Sequence, residues 1–259
     1  MSASTNFVSA TARIAAAFSP EAHVQAMLTF EAALAHAQAR AGILPQHIAD
    51  DIATHCRVEL FDVVALYHDA ARAGTPVIPL LRMLNAKVDD EARTYVHWGA
   101  TSQDAIDTAL MLEMREGLAI LIAELDVVCQ VCAELAEQHR HTLMVGRTLL
   151  QQAVPITFGL KAARWLALVF RQLQALHEHR MNSLVIQLGG AAGTLAVLGK
   201  CGPRVIELLA GELQLTVPDL PWHTERDRIA QVASTLGIVA GAVGKIAGDI
   251  VLLAQTEVS

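Results

Sequence analysis

The chain has 259 residues, of which 53 % are hydrophobic, 17 % are charged and only 4 % are aromatic. A chain so apolar, with 44 alanines and so few charges, is not expected to be disordered, and its length allows one large domain or two ordinary ones. The formal net charge of −7 leaves no basic surplus to neutralise a phosphate backbone, so nucleic acid is not an expected partner.

Helical periodicity with Gly and Pro punctuation runs along the chain, and no convincing alternating strand pattern is present. The first predicted helix runs from Ser19 to Ala41, with Ser19 as its cap, Pro20 at its first position and Gly42 as its stop. Two shorter helices are predicted within residues 45–73 and another over 79–89, followed by a connector over 90–99.

Long helices are predicted over residues 102–139, 155–184 and 227–257, with a short one over 204–213. The last has about 31 residues, or about 46 Å at 1.5 Å per residue. Helices of this length predict an all-α architecture, an elongated bundle whose apolar seams need partners. A compositional boundary near residues 100–110 divides the chain into a small N-terminal helical domain, residues 1–105, and a long-helix bundle domain, residues 106–259.

Neither a membrane span nor a secretory signal is predicted. The longest stretch without Asp, Glu, Lys or Arg, residues 181–199, contains Asn182, Gln187 and several glycines, and the N-terminus lacks an apolar h-region. We therefore expect a cytoplasmic protein without a membrane partner.

Two of the four cysteines, Cys129 and Cys132, form a C-x-x-C motif, which allows a redox or half-zinc interpretation. No second Cys/His pair stands at zinc-finger spacing, and the motif lies within a helical pattern. We therefore predict buried, reduced thiols and no metal site.

The segment HWGATSQD, residues 97–104, ends where a long helix begins. Thr101 or Ser102 can cap this helix, and Asp104 lies in its first turn. In a functional interpretation, the hydroxyls and free backbone N–H groups bind a carboxylate and His97 moves protons near neutral pH. The alternative is a well-formed helix start with no further role.

Three later segments also concentrate polar groups. In GRTLLQQAVP, residues 146–155, a polar cluster precedes a helix-starting Pro155, and it either binds an anion or is an ordinary loop. QLGGAAGT, residues 187–194, follows a helix and lacks the G-x-G-x-x-G spacing, so it does not predict a dinucleotide site. In WHTERDR, residues 222–228, His223 and Arg226 can grip an anion, or the segment simply starts the last helix.

Taken in this order, the four segments resemble successive blocks of the fumarase/aspartase/adenylosuccinate lyase superfamily, most closely its branch of carboxymuconate cycloisomerases. GATSQDAIDT and GRTLLQQAVPITFG are the most specific blocks, and the resemblance covers essentially the whole chain. It implies a fumarase/aspartase-type helical bundle, a homotetramer whose active sites combine segments of three chains, and neither a metal nor an organic cofactor.

The implied reaction belongs to protocatechuate catabolism, in the beta-ketoadipate pathway. One carboxylate of a small polycarboxylate substrate, a carboxymuconate, adds across a double bond to give a carboxymuconolactone. Run backwards, this is a β-elimination next to a carboxylate, and fixed donors should stabilise the aci-carboxylate charge of the transition state.

The resemblance also implies roles for individual residues, by their positions in the matching blocks. The implied catalytic residues are His97, Thr148 and Gln151. The implied substrate-binding residues are Thr101, Ser102, Arg147, Thr194, His223 and Arg226.

The sequence departs from the family pattern in two places. Many superfamily members carry a His where this chain has Leu149, which cannot transfer a proton; this disfavours adenylosuccinate and argininosuccinate lyases and leaves the acid unassigned. The loop G-S-S-x-M-P-x-K-x-N, with the family's proposed catalytic Ser, is not found, so we expect a C-terminally truncated bundle with little or no turnover. Two alternatives stay open, another superfamily lyase acting on a succinyl compound and a non-catalytic helical oligomerisation module.

Overall fold

The computed structural model describes residues 2–256, and side chains from residue 10 onward. Helices account for most of the described chain, with one antiparallel hairpin between the two long helices α6 and α7. The helices are α1 (Ser2–Ala17), α2 (Pro20–Arg40), α3 (Gln46–His55), α4 (Val63–Ala73), α5 (Val77–Asn85), α6 (Ser102–Gln138), α7 (Phe158–Asn182), α8 (Gly202–Leu213) and α9 (Asp227–Leu253), and the strands are β1 (Leu143–Thr148) and β2 (Gln151–Thr157).

The first helix predicted from the sequence is α2, and its predicted capping is confirmed. The Ser19 side chain accepts a hydrogen bond from the backbone N–H of Ala22, and Pro20 occupies the first helical turn of α2. Gly42 follows the helix with a φ of 78°, a left-handed conformation that glycine adopts without strain. The helix α1, which ends just before this cap, was not predicted.

The prediction of no strands is wrong for residues 143–157. These residues form the hairpin of β1 and β2, and the segment that was expected to be a loop supplies half of β1 and most of β2. Pro155 lies within β2 opposite Val145, and α7 begins only at Phe158, where the Thr157 side chain caps the helix by accepting from the N–H of Leu160. Proline therefore does not start the helix here.

Two compact units divide the described chain. Unit 1 comprises residues 1–117 and 184–226, and unit 2 comprises residues 118–183 and 227–259. The long helix α6 contributes to both units, so neither unit is a single stretch of chain. The predicted domains, residues 1–105 and 106–259, are consecutive segments, whereas each of these units combines two segments. The domain boundary near residue 105 therefore stays a prediction.

The core of unit 1 lies around α2, which packs against α3 and α8. Large side chains of α2 such as Met27, Phe30 and Leu34 are almost fully buried, and so is Leu209 of α8. A helix buried along most of its length explains the high alanine content of α2, since small side chains let neighbouring backbones approach closely.

Unit 2 has its core between α6, α7 and α9. Cys132, Ala162 and Trp165 are buried there, with Phe158 packed edge-on against the indole of Trp165. Cys129 and Cys132 are both buried and free, as predicted, and burial raises the pKa of both thiols. This burial disfavours a thiolate and hence a reactive C-x-x-C motif.

Among the described helices, only α9 is long and apolar enough to cross a membrane, by length and composition alone. Only 11 % of its most apolar 18-residue window is buried. The helix also carries Lys245 and Asp249, which pair with each other, and it packs on α7 along one side.

Candidate active site

The first turn of α6 contains a fully buried carboxylate, that of Asp104. Its Oδ2 accepts from the backbone N–H of Thr101 at 3.0 Å and of Gly190 at 2.9 Å. Its Oδ1 accepts from the N–H of Gly189 at 3.0 Å and from the Gln187 side-chain amide at 2.9 Å. We call these five residues the Asp104 cluster. Four hydrogen bonds compensate for the burial of this charge and join the start of α6 to the glycine-rich segment.

Glycine is required where this segment meets α6. Gly190 has a φ of 69°, and a Cβ atom added to it would lie 3.0 Å from the Gly99 carbonyl oxygen. A Cβ atom on Gly189 would lie 2.8 Å from the Cβ of Pro221. The glycines therefore allow the glycine-rich segment to approach its neighbours closely.

Gln187 connects the Asp104 cluster to the fourth predicted segment. Its side chain is fully buried, its Nε2 lies 2.9 Å from His223 Nδ1, and its Oε1 accepts from the Trp222 backbone N–H at 2.6 Å. The Trp222 indole in turn donates to the Ile186 carbonyl at 2.8 Å. Three of the four predicted segments thus meet within unit 1.

A second carboxylate, Asp107, lies one turn further along α6 and binds Arg226. The guanidinium donates two hydrogen bonds to Asp107, at 2.7 and 2.8 Å, and a third at 3.3 Å to the His223 carbonyl. The hydrogen bond to Asp107 raises the pKa of Arg226, against the opposing effect of burial. Bidentate pairing fixes the orientation of Arg226, which therefore stabilises the segment around His223.

His97 forms a pair with the buried Glu31 of α2. The His97 Nδ1 lies 2.6 Å from Glu31 Oε1, and the two side chains are 14 % and 1 % exposed. Desolvation lowers the pKa of His97, but the charge and hydrogen bond of Glu31 and the charge of Asp104 together outweigh it, so the pKa is raised above 6.5. This arrangement favours the protonated imidazolium.

Glu31 was missed by the sequence analysis. Its only signal is a lone acidic residue within the apolar stretch MLTFEAALA of a helix that is otherwise buried. The second carboxylate oxygen of Glu31 is also buried, with no hydrogen-bond partner in the described part of the chain. A buried, half-satisfied carboxylate beside a histidine is typical of functional sites.

Thr101 and Ser102 stand at the N-terminus of α6, both partly exposed. Neither hydroxyl has a recorded partner among the described residues, while the Thr101 backbone is held by Asp104. At this helix start the Asp104 side chain makes only one of the two bonds of a capping box, the bond back to the Thr101 N–H, and the Thr101 and Ser102 hydroxyls stay available. Thr194 lies exposed further along the glycine-rich segment.

The other predicted residues, Arg147, Thr148 and Gln151, lie exposed on the hairpin of unit 2. Arg147 lines a cleft of about 720 Å³ together with Lys161, Arg164 and Lys245, and Asp249 is the acidic residue of this wall. The residues predicted for one site thus fall into two groups, one in unit 1 and one on the hairpin. No group of three or more His, Cys, Asp or Glu residues in the described chain could hold a metal ion.

A family model described as Lyase matches residues 5–259, and the chain belongs to this lyase family. The 3-carboxy-cis,cis-muconate cycloisomerase of Bradyrhizobium diazoefficiens is 49 % identical over 252 residues, which cover 96 % of this chain and 56 % of the relative. That of Pseudomonas aeruginosa is 48 % identical, covering 93 % of this chain and 53 % of the relative. These matches confirm the resemblance that the sequence motifs indicated.

A solved structure agrees with these relatives. The 3-carboxy-cis,cis-muconate lactonizing enzyme from Pseudomonas putida matches with a TM-score of 0.92 and 45 % identity, covering 95 % of this chain and 56 % of that structure. The predicted all-α fold class is confirmed. The chain spans about half the length of the curated relatives it matches.

Proposed function

We propose that the protein carrying this sequence is a cycloisomerase that converts 3-carboxy-cis,cis-muconate to a carboxymuconolactone. The observation that carries the proposal is the convergence of three predicted segments on one buried carboxylate, Asp104, beside His97 and the start of α6. The similarity to two cycloisomerases and a lactonizing enzyme supports this chemistry over that of the succinyl lyases.

The N-terminus of α6 binds a carboxylate of the substrate. The Thr101 and Ser102 hydroxyls supply donors that have no hydrogen-bond partner among the described residues, and the first turn adds the positive end of the helix dipole. Because Asp104 holds the Thr101 backbone, these donors are fixed before substrate arrives. Such preorganisation stabilises the extra negative charge of the transition state.

His97 transfers the proton. In lactonisation, one carboxylate oxygen forms a C–O bond to one carbon of the double bond, and the other carbon receives a proton. His97, whose protonated form is stabilised by Glu31, is the donor in this step and takes the proton back in the reverse elimination. This assigns the acid that Leu149 cannot provide.

The predicted residues on the hairpin act in the active site of an oligomer. We assign Arg147, Thr148 and Gln151 to the active site of a neighbouring protomer in a cytoplasmic homotetramer that needs no cofactor. Exposed Leu236, Val243 and Ile250 support such an assembly, since their spacing of seven residues forms one apolar face on α9.

A substrate panel tests the activity on the intact protein that carries this sequence. 3-Carboxy-cis,cis-muconate, adenylosuccinate and argininosuccinate are supplied in turn, and loss of the diene absorbance and appearance of the lactone by NMR are followed. We expect turnover of the muconate alone. Turnover of a succinyl substrate alone, or of none, would overturn the proposal.

Variants at the two proposed groups refine the test. We expect His97→Gln to lower kcat by about 10²–10⁴-fold, the usual contribution of a general acid. Thr101→Val should raise KM about tenfold, because it removes a hydrogen bond to a charged group. Thr54→Val is the matched control, since the Thr54 hydroxyl donates to the Asp50 carbonyl within α3, away from the predicted segments.

A further inference from the structure

His223 presents one ring nitrogen to the protein interior. Its Nδ1 lies 2.9 Å from the side-chain nitrogen of Gln187, and its Nε2 has no recorded partner in the described part of the chain. The ring itself is partly exposed. Its protonation pattern therefore depends on what Gln187 can donate or accept.

The orientation of the Gln187 amide is decided by neighbours that cannot change their roles. The Trp222 backbone N–H can only donate, and it bonds Oε1 at 2.6 Å. The Asp104 carboxylate is an acceptor when ionised, and its Oδ1 accepts from Nε2 at 2.9 Å. A flipped amide would place its oxygen against this carboxylate and its NH₂ against a backbone N–H, so the observed orientation is the favourable one.

With the amide so oriented, Nε2 of Gln187 has one hydrogen left for His223. We infer that Gln187 fixes neutral His223 as the Nε2–H tautomer, with Nδ1 accepting from the amide and Nε2–H free to donate to the substrate. Gln187 is thus a positioning residue and His223 the group that it prepares. The step to substrate rests on the proposed function, whereas the tautomer follows from the hydrogen bonds alone.

The ring lies beside the glycine-rich segment, and its Nδ1 contact with Gln187 holds it there. A Cβ atom on Gly189 would lie 3.3 Å from His223 Cε1, and one on Gly193 would lie 3.5 Å from the same atom. The Arg226 guanidinium binds the His223 carbonyl at 3.3 Å and is itself anchored by Asp107. Backbone and ring are both held, so the free Nε2–H group has a defined direction.

Long-range ¹H–¹⁵N NMR of the histidine rings tests the tautomer without any substrate. In the unliganded wild-type protein above neutral pH, we expect the His223 Nδ1 signal to be that of a non-protonated nitrogen and Nε2 to carry the hydrogen. His223→Gln assigns the signals by their disappearance. A wild-type ring with hydrogen on Nδ1 would overturn the inference, and this result needs no further variant.

The variant Gln187→Leu tests whether the Gln187 amide determines the tautomer of His223. We expect a mixture of both tautomers in this variant, and about a tenfold rise in KM with a smaller change in kcat. Gln25→Leu is the matched control, since among the described residues the Gln25 side chain bonds Thr29, Cys56 and Val58 and not His223. If folded Gln187→Leu keeps the wild-type tautomer, the inference is wrong. If Gln187→Leu has an altered tautomer but the wild-type protein does not turn over 3-carboxy-cis,cis-muconate, the proposed function is wrong and the inferred tautomer stands.

Discussion

Asp104 and Asp107 lie one turn apart on α6, and both are buried, yet they bind different kinds of partners. Asp104 accepts mostly backbone N–H groups and holds the glycine-rich segment in place. Asp107 accepts from the guanidinium of Arg226. Because both carboxylates are used inside the protein, the groups left for a substrate are the neighbouring hydroxyls and imidazoles.

At the residue scale, Glu31→Gln should change the pH dependence of stability. The raised pKa of His97 means that the ion pair contributes its full stability below about pH 6.5 and loses it as the pH rises through the native pKa. Urea unfolding from about pH 5.5 to about pH 8.5 measures the slope of the free energy of unfolding against pH. In a His97→Gln background, Glu31→Gln should leave the slope unchanged; a further change there would contradict the assignment.

Arg226→Ala should destabilise the protein by about 1–3 kcal/mol, because it leaves the buried Asp107 carboxylate without its main partner. Arg226→Lys should cost less, since it keeps one charge-assisted bond and loses the bidentate geometry. The free energy of urea unfolding distinguishes the two. Equal stability of Arg226→Ala and wild type would show that solvent already satisfies Asp107.

At the element scale, the hairpin contains the most unusual local structure of the chain. Its two turn residues, Leu149 and Leu150, have φ values of 50° and 61° and are 89 % and 74 % exposed. Two positive φ values in a two-residue turn normally select Asn-Gly, so leucine is both strained and exposed here. The sequence could not predict this turn, since neither residue is a turn former.

The double variant Leu149→Asn, Leu150→Gly should therefore stabilise the isolated fold by about 1–2 kcal/mol through relief of backbone strain. Thermal unfolding and slower amide exchange in β1 and β2 measure the effect. Leu143→Asn, which removes a 77 % exposed leucine of β1 outside the turn, is the control. If that control stabilises the hairpin as much, loss of exposed apolar surface and not turn geometry is the cause.

At the scale of the whole molecule, the exposed apolar face of α9 determines the association we propose. Val243→Glu places a charge in the middle of that face, between Leu236 and Ile250, and should lower the oligomeric mass measured by light scattering. Val64→Glu, at an 82 % exposed position on α4, should leave the mass unchanged. An unchanged mass for Val243→Glu would place the interface elsewhere.

The sequence by itself determined most of the helices and both ends of α2, because caps such as Ser19, stops such as Gly42 and the apolar period act over a few residues. It also determined the family, since four segments match in order. Only the tertiary structure decided which polar groups meet. Glu31 lies 66 residues from His97, and Gln187 lies 83 residues from Asp104. These pairs form because buried charges and amides must find partners, and no local pattern reveals which distant partner burial will bring.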